Sequence, residues 1–102
     1  MTNMEKVCRH LAPDELLCQL AEEAAELSKA ALKLRRTIVT TNPTPMTGSE
    51  AFDSVIEEVI DVEMVLDVLD FYWTEGGVND RRAEQVASKF ARWADRLEGR
   101  HD

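Results

Sequence analysis

The stretch AFDSVIEEVIDVEMVLDVLDFY, residues 51–72, decides the fold. Wound at about 100° per residue, it puts Val55, Val59, Val62, Val65, Leu66, Val68, Leu69 and Tyr72 on one broad apolar arc, which Trp73 continues. Glu58 and Asp61 fall inside that arc. Glu57, Glu63, Asp67 and Asp70 fall on the opposite, polar side. The pattern predicts a long helix from about Ser49 to Glu75, stopped by Gly76-Gly77.

The chain on either side reads as helix too. Pro13 precedes or opens a helix over residues 14–36, with Asp14 and Glu15 in the first turn, where the helix dipole favours acids. Leu16, Leu20, Leu27 and Leu34 share one narrow stripe of it. Residues 37–50, with Asn42-Pro43-Thr44-Pro45 and Gly48-Ser49, break the pattern and predict a long loop. A third long helix is expected from Asn79 or Asp80, as N-cap, to about Glu98, with Val86, Phe90, Trp93 and Leu97 as its core stripe. Residues 3–11 suit a short leading helix with Met4, Val7, Cys8 and Leu11 inward. The expectation is an all-α, four-helix-type bundle: three long helices plus a short N-terminal one.

Composition narrows the class. At 102 residues there is room for one domain, spanning 1–102, and its small core makes oligomerisation an inexpensive remedy. Only four Gly and three Pro are present, too little punctuation for an all-β chain. No apolar run approaches the roughly 20 residues of a membrane span, so a cytoplasmic protein is expected. Cys8 and Cys18 lack a CxxC spacing and read as reduced, packed thiols.

The net charge of −8 speaks against binding to nucleic acid or to an anionic membrane. Its distribution says more. Residues 51–75 hold eight acids and no base, while the segments before and after are nearly balanced. Such concentration is costly unless a metal ion or a basic neighbour relieves it.

On the first long helix, Glu23 lies about 20° from Leu16 on the side a helix normally buries, and Glu26 borders the same face. Two helices thus each carry a pair of inward carboxylates three residues apart, Glu23 with Glu26 and Glu58 with Asp61. One such pair is ordinary on a solvated face; two inward pairs on neighbouring helices, one of them in a segment without a base, are not. A hard divalent cation, Mg²⁺ or in its place Mn²⁺, satisfies four buried carboxylates and retains waters that phosphate oxygens can replace. Neither helix carries a His, which argues against zinc and against a Glu-x-x-His di-iron site.

Glu22-Glu23-Ala24-Ala25-Glu26, followed by Glu58-Val59-Ile60-Asp61, resembles the EExxE…ExxD signature of the all-α NTP pyrophosphatases, in particular the MazG-like nucleotide pyrophosphohydrolases. The similarity extends over residues 5–98. It implies Glu23, Glu26, Glu58 and Asp61 as metal ligands, with Glu22 orienting a ligand or helping to activate water. It further implies Mg²⁺-dependent cleavage of an NTP or dNTP between the α and β phosphorus atoms. A carboxylate not fully committed to metal, Glu22 or Glu26, can take the proton.

Phosphate chemistry also asks for cations. Lys89 and Arg96, and with them Arg92, are candidates to reach the substrate phosphates, although a solvated basic face accounts for them as well. Lys29 and Lys33 read as partners of Glu26 or of solvent. Asn42 is a candidate to read a base edge from the loop. Phe71, Tyr72, Trp73 and Trp93 could stack on a base but more readily serve as core. The arc of residues 55–73 is wider than two neighbours would cover, so a homodimer or homotetramer is expected. Two rivals stand beside the nucleotide reading. One is phosphoribosyl-ATP pyrophosphatase, which has the same fold. The other is a non-catalytic helical interaction module whose inward acids meet a partner's bases.

Overall fold

A computed structural model describes residues 1–39, 44–72 and 78–99. Its order is α1 (Asn3–His10), α2 (Pro13–Ile38), α3 (Gly48–Tyr72) and α4 (Val78–Leu97), with no strand among the described residues. The all-helical reading therefore holds. The chain falls into two compact units, Met1–Tyr72 and Trp73–Asp102.

Local chemistry starts each helix of the first unit. The Thr2 hydroxyl accepts from the Glu5 N–H at 3.1 Å and caps α1. Pro13 occupies the first turn of α2, where its missing N–H costs nothing, and the Glu15 carboxylate accepts from the Ala12 N–H at 3.4 Å. At α3 the cap is Thr47. Its Oγ1 accepts from the Glu50 N–H at 3.1 Å, and Glu50 Oε1 accepts from the Thr47 N–H at 3.2 Å. This reciprocal box moves the helix start to Gly48 and shortens the expected 37–50 loop, since α2 also runs on to Ile38. The same bonds hold the Glu50 carboxyl below its usual range, the Thr47 backbone first and its hydroxyl second. Thr47→Ala is expected to cost about 1 kcal/mol in urea unfolding at neutral pH. The loss should shrink on acidification, because a depressed carboxyl contributes stability only above its folded pKa.

α2 and α3 pack as an antiparallel hairpin. At one end the Tyr72 hydroxyl reaches the carbonyls of Cys8 and Leu11, clamping the end of α3 to the α1–α2 junction. Partial burial, then Cys8 and Glu15, push the Tyr72 hydroxyl above its ordinary range, so it stays a donor. Tyr72 is thus a structural tie, and Phe71 meets it edge to face at 6.3 Å. At the other end Met46 and Ser54 face Lys29 and Lys33. Among the described residues the buried apolar core is Leu16 and Ala30 from α2 with Ala51 and Leu69 from α3.

That core is small, and the broad arc of α3 explains why. Val55, Val62, Val65, Leu66 and Val68 are half-buried as expected, but Val59 is turned outward with Ile56, Ile60 and Met64, the last 60% exposed. On α1, Cys8 and Leu11 are half-buried, whereas Met4 and Val7 are exposed, because so short a helix covers only one edge of the hairpin. Cys18 is free and exposed rather than packed, since it lies off the leucine stripe; Cys8 is free and half-buried.

The second unit contains α4. It begins at Val78, so Asn79 and Asp80 lie within its first turn and neither is its N-cap. Within this unit by itself Val86 is half-buried, whereas Phe90, Trp93 and Leu97 are exposed. A single helix cannot bury its own stripe; Phe90 and Trp93 instead stack at 6.1 Å. The expected Gly76-Gly77 stop of α3 lies outside the described residues, as do Trp73 and Glu75.

No helix is long and apolar enough to cross a membrane among the described residues.

Candidate metal centre

The hairpin brings together three of the four expected acids. Glu23 on α2 and Glu58 and Asp61 on α3 each offer a carboxylate oxygen, all within 4.8 Å of one another. Three-residue spacing stacks Glu58 over Asp61 on the α3 face toward α2, and the antiparallel register sets Glu23 opposite them. Glu23 and Glu58 are half-buried. The Gln19 amide, one turn before Glu23, donates to its Oε1 at 2.7 Å and fixes the carboxylate's direction. That role of Gln19 was readable only as an i,i+4 spacing within α2, a signal too common to single it out.

Charge at this point is frustrated. Partial burial, followed by Asp61, Glu23, Glu26 and Glu57 in decreasing order, pushes the Glu58 carboxyl above its usual range. The causes are loss of water and four like charges, and a cation among these oxygens would oppose both. The donor set is all carboxylate, with no His or thiolate in it, which suits a hard divalent ion.

Glu26 is not a member of the triad. Its Oε1 pairs with Lys29 Nζ at 3.4 Å along α2, both side chains more than half exposed. It stays close enough to raise Glu58, and it lines a cleft of about 120 Å³ with Lys29, Ala30, Lys33, Met46, Ser54 and Glu58. Glu22 is exposed, on the neighbouring flank of α2.

The candidate phosphate cations belong to the second unit. Lys89 lines an open groove with Arg81, Arg82, Gln85 and Val86; Arg92 and Arg96 do not line it and are exposed. Arg81 was not singled out in the sequence because it lies off the seven-residue recurrence of Arg82, Lys89 and Arg96. Asn42 lies outside the described residues.

Compared with family models, with curated proteins and with solved structures, the chain finds no match.

Proposed function

We propose that this chain is a Mg²⁺-dependent nucleoside triphosphate pyrophosphohydrolase, converting an NTP or dNTP to the monophosphate and pyrophosphate. The observation that carries the reading is the convergence of Glu23, Glu58 and Asp61 within 4.8 Å across two helices. Its surroundings support it: the segment 51–75 holds eight acids and no base. The EExxE…ExxD resemblance supplies the reaction class.

Glu23, Glu58 and Asp61 would hold the ion, and Glu26 would join them once freed from Lys29. When bound, the ion supplies charge neutralisation of the phosphates and acidification of water. In the reaction a water oxygen bonds to the α-phosphorus in line with the breaking bond to the bridging oxygen. Pyrophosphate leaves with that electron pair, the monophosphate keeps the new oxygen, and one proton is released. Glu26 or Glu22 accepts it, each being a carboxylate outside the triad. Lys89, Arg92 and Arg96 of α4 are proposed to contact phosphates, and Asn42 the base.

The exposed Ile56, Ile60 and Met64 support the further reading that the chain works as a homodimer or homotetramer closing a helical bundle. A cytoplasmic setting belongs to the same proposal.

Pyrophosphate release from a panel of NTPs and dNTPs tests the activity. Release that requires Mg²⁺ and stops with EDTA is expected. Silence from folded protein across the panel contradicts the NTP reading. Turnover of phosphoribosyl-ATP in that case would point to the phosphoribosyl-ATP pyrophosphatase reading. Mg²⁺ is also expected to raise the melting temperature, since an ion that binds only the folded state stabilises it by mass action, by about 2.7 kcal/mol at a hundredfold excess over Kd. An interaction module would show no such shift.

A further inference from the structure

The first unit places cations beside the acids. Because residues 51–75 contain no base, positive charge within this unit comes from its other helices. The bases available there are Lys6, Arg9, Lys29, Lys33, Arg35 and Arg36. Of these, Lys29 and Lys33 line the cleft that Glu58 shares with the triad. Glu26, Lys29, Ala30 and Lys33 follow helical i,i+3,i+4,i+7 spacing, so they form one continuous stripe on α2. Ser54 and Glu58 are i,i+4 on the facing stripe of α3, with Met46 closing the end. The cleft is therefore lined by acids at Glu26 and Glu58 and by bases at Lys29 and Lys33, and Glu58 joins it to the triad with Glu23 and Asp61.

The two lysines differ in what they hold. Lys29 is paired with Glu26 across an exposed contact at 3.4 Å, the kind of surface pair worth little and easily exchanged. Lys33 makes no ion pair or hydrogen bond among the described residues. Lys29 and Lys33 stand six and ten residues beyond Glu23, about 9 and 15 Å along the helix, so they lie beyond the triad, at the cleft that Glu58 also lines. A group that satisfies both ends of such a groove carries several negative charges in a row. A polyphosphate chain bridging a cation at the triad to ammonium groups beyond it has this form.

We propose that the Lys29–Lys33–Ser54 cleft seats the pyrophosphate end of the substrate, an inference that rests on the triphosphate reading above. Lys33 meets the terminal phosphate, and the Ser54 hydroxyl, which donates to the Glu50 carbonyl at 3.2 Å in the structure, turns to donate to a phosphate oxygen. Lys29 exchanges Glu26 for phosphate, which releases Glu26 toward the metal and the attacking water. Substrate binding thereby completes the acid set, so a ligand lacking the pyrophosphate portion leaves Glu26 tied to Lys29.

Inorganic pyrophosphate with Mg²⁺, titrated calorimetrically into the 102-residue chain, tests the seat without requiring turnover. Lys29→Gln/Lys33→Gln is expected to weaken pyrophosphate binding about tenfold or more, the usual consequence of losing charge-assisted contacts. Mg²⁺ binding measured alone should be retained, and tightened by the freed Glu26, and the helical circular dichroism should be unchanged. Binding of a nucleoside monophosphate should be nearly unaffected, and Lys6→Gln, on α1, should behave as wild type. Wild-type affinity for pyrophosphate in the double lysine variant overturns the seat while leaving the triad reading intact. Folded wild-type protein that binds neither Mg²⁺ nor its pyrophosphate complex overturns both.

Discussion

Glu58→Gln is expected to reduce pyrophosphate release by at least about a hundredfold while raising the melting temperature of the cation-free protein. Both effects come from one charge. Gln preserves the shape and one oxygen of the side chain but cannot offer a carboxylate to a cation. It also removes the group on which Asp61, Glu23, Glu26 and Glu57 all act unfavourably. Without a cation, the raised Glu58 carboxyl binds its proton more tightly in the folded chain than in the unfolded one. Its stabilising contribution is therefore full at acid pH, below the unfolded value, and is lost as pH rises through the folded value. The cation-free wild type should gain stability on acidification through that window, and Glu58→Gln should gain less. With Mg²⁺ present the order reverses, because only the wild type gains stability by binding the ion. An unfolded Glu58→Gln protein, or one retaining wild-type turnover, would contradict this account.

The second large effect concerns assembly. Ile56, Ile60 and Met64 follow one another at four-residue intervals on the outer face of α3, and all are exposed. On the proposed assembly, these apolar residues recurring at helical spacing form the contact face. Ile60→Glu with Met64→Glu is expected to reduce the assembly to the 11.6 kDa chain. Light scattering reads the change directly, and circular dichroism should show the α2–α3 hairpin retained, since neither residue is in its buried core. Wild-type protein already running as a single chain, or a double variant with unchanged mass, would contradict the assembly.

Periodicity made the helices legible, with instructive exceptions at their ends. The α2 leucine stripe and the α3 arc each follow a repeat that only a helix satisfies. The start of α3 was legible to within one residue, about Ser49 for Gly48, and the reciprocal Thr47–Glu50 bonds set the remaining step. The arc of α3 was read as one inward face. In the structure it divides between α2 and the surface, because a wheel gives angular position but not the number of neighbours available to cover it.

The candidate site was legible in part for a similar reason. Glu23, Glu58 and Asp61 could be placed together because helical spacing fixes the face and antiparallel packing fixes the register. Glu26 shares that spacing but pairs with Lys29, and the choice between two neighbours three residues away on either side depends on rotamers that no spacing encodes. The expected pairing of Lys29 with Glu26 is present, but the cleft that Met46 and Ser54 close around Lys29 and Lys33 has no counterpart in the sequence pattern. Such closure is a property of two elements at once and is invisible along either.

The most direct measurement is a calorimetric titration of Mg²⁺ into the metal-free wild-type protein and into Glu58→Gln. Saturable binding by the wild type, lost in the variant, is the predicted result. A folded wild-type protein that takes up no Mg²⁺, or a variant that binds it equally well, would contradict the claim that Glu23, Glu58 and Asp61 form a cation site.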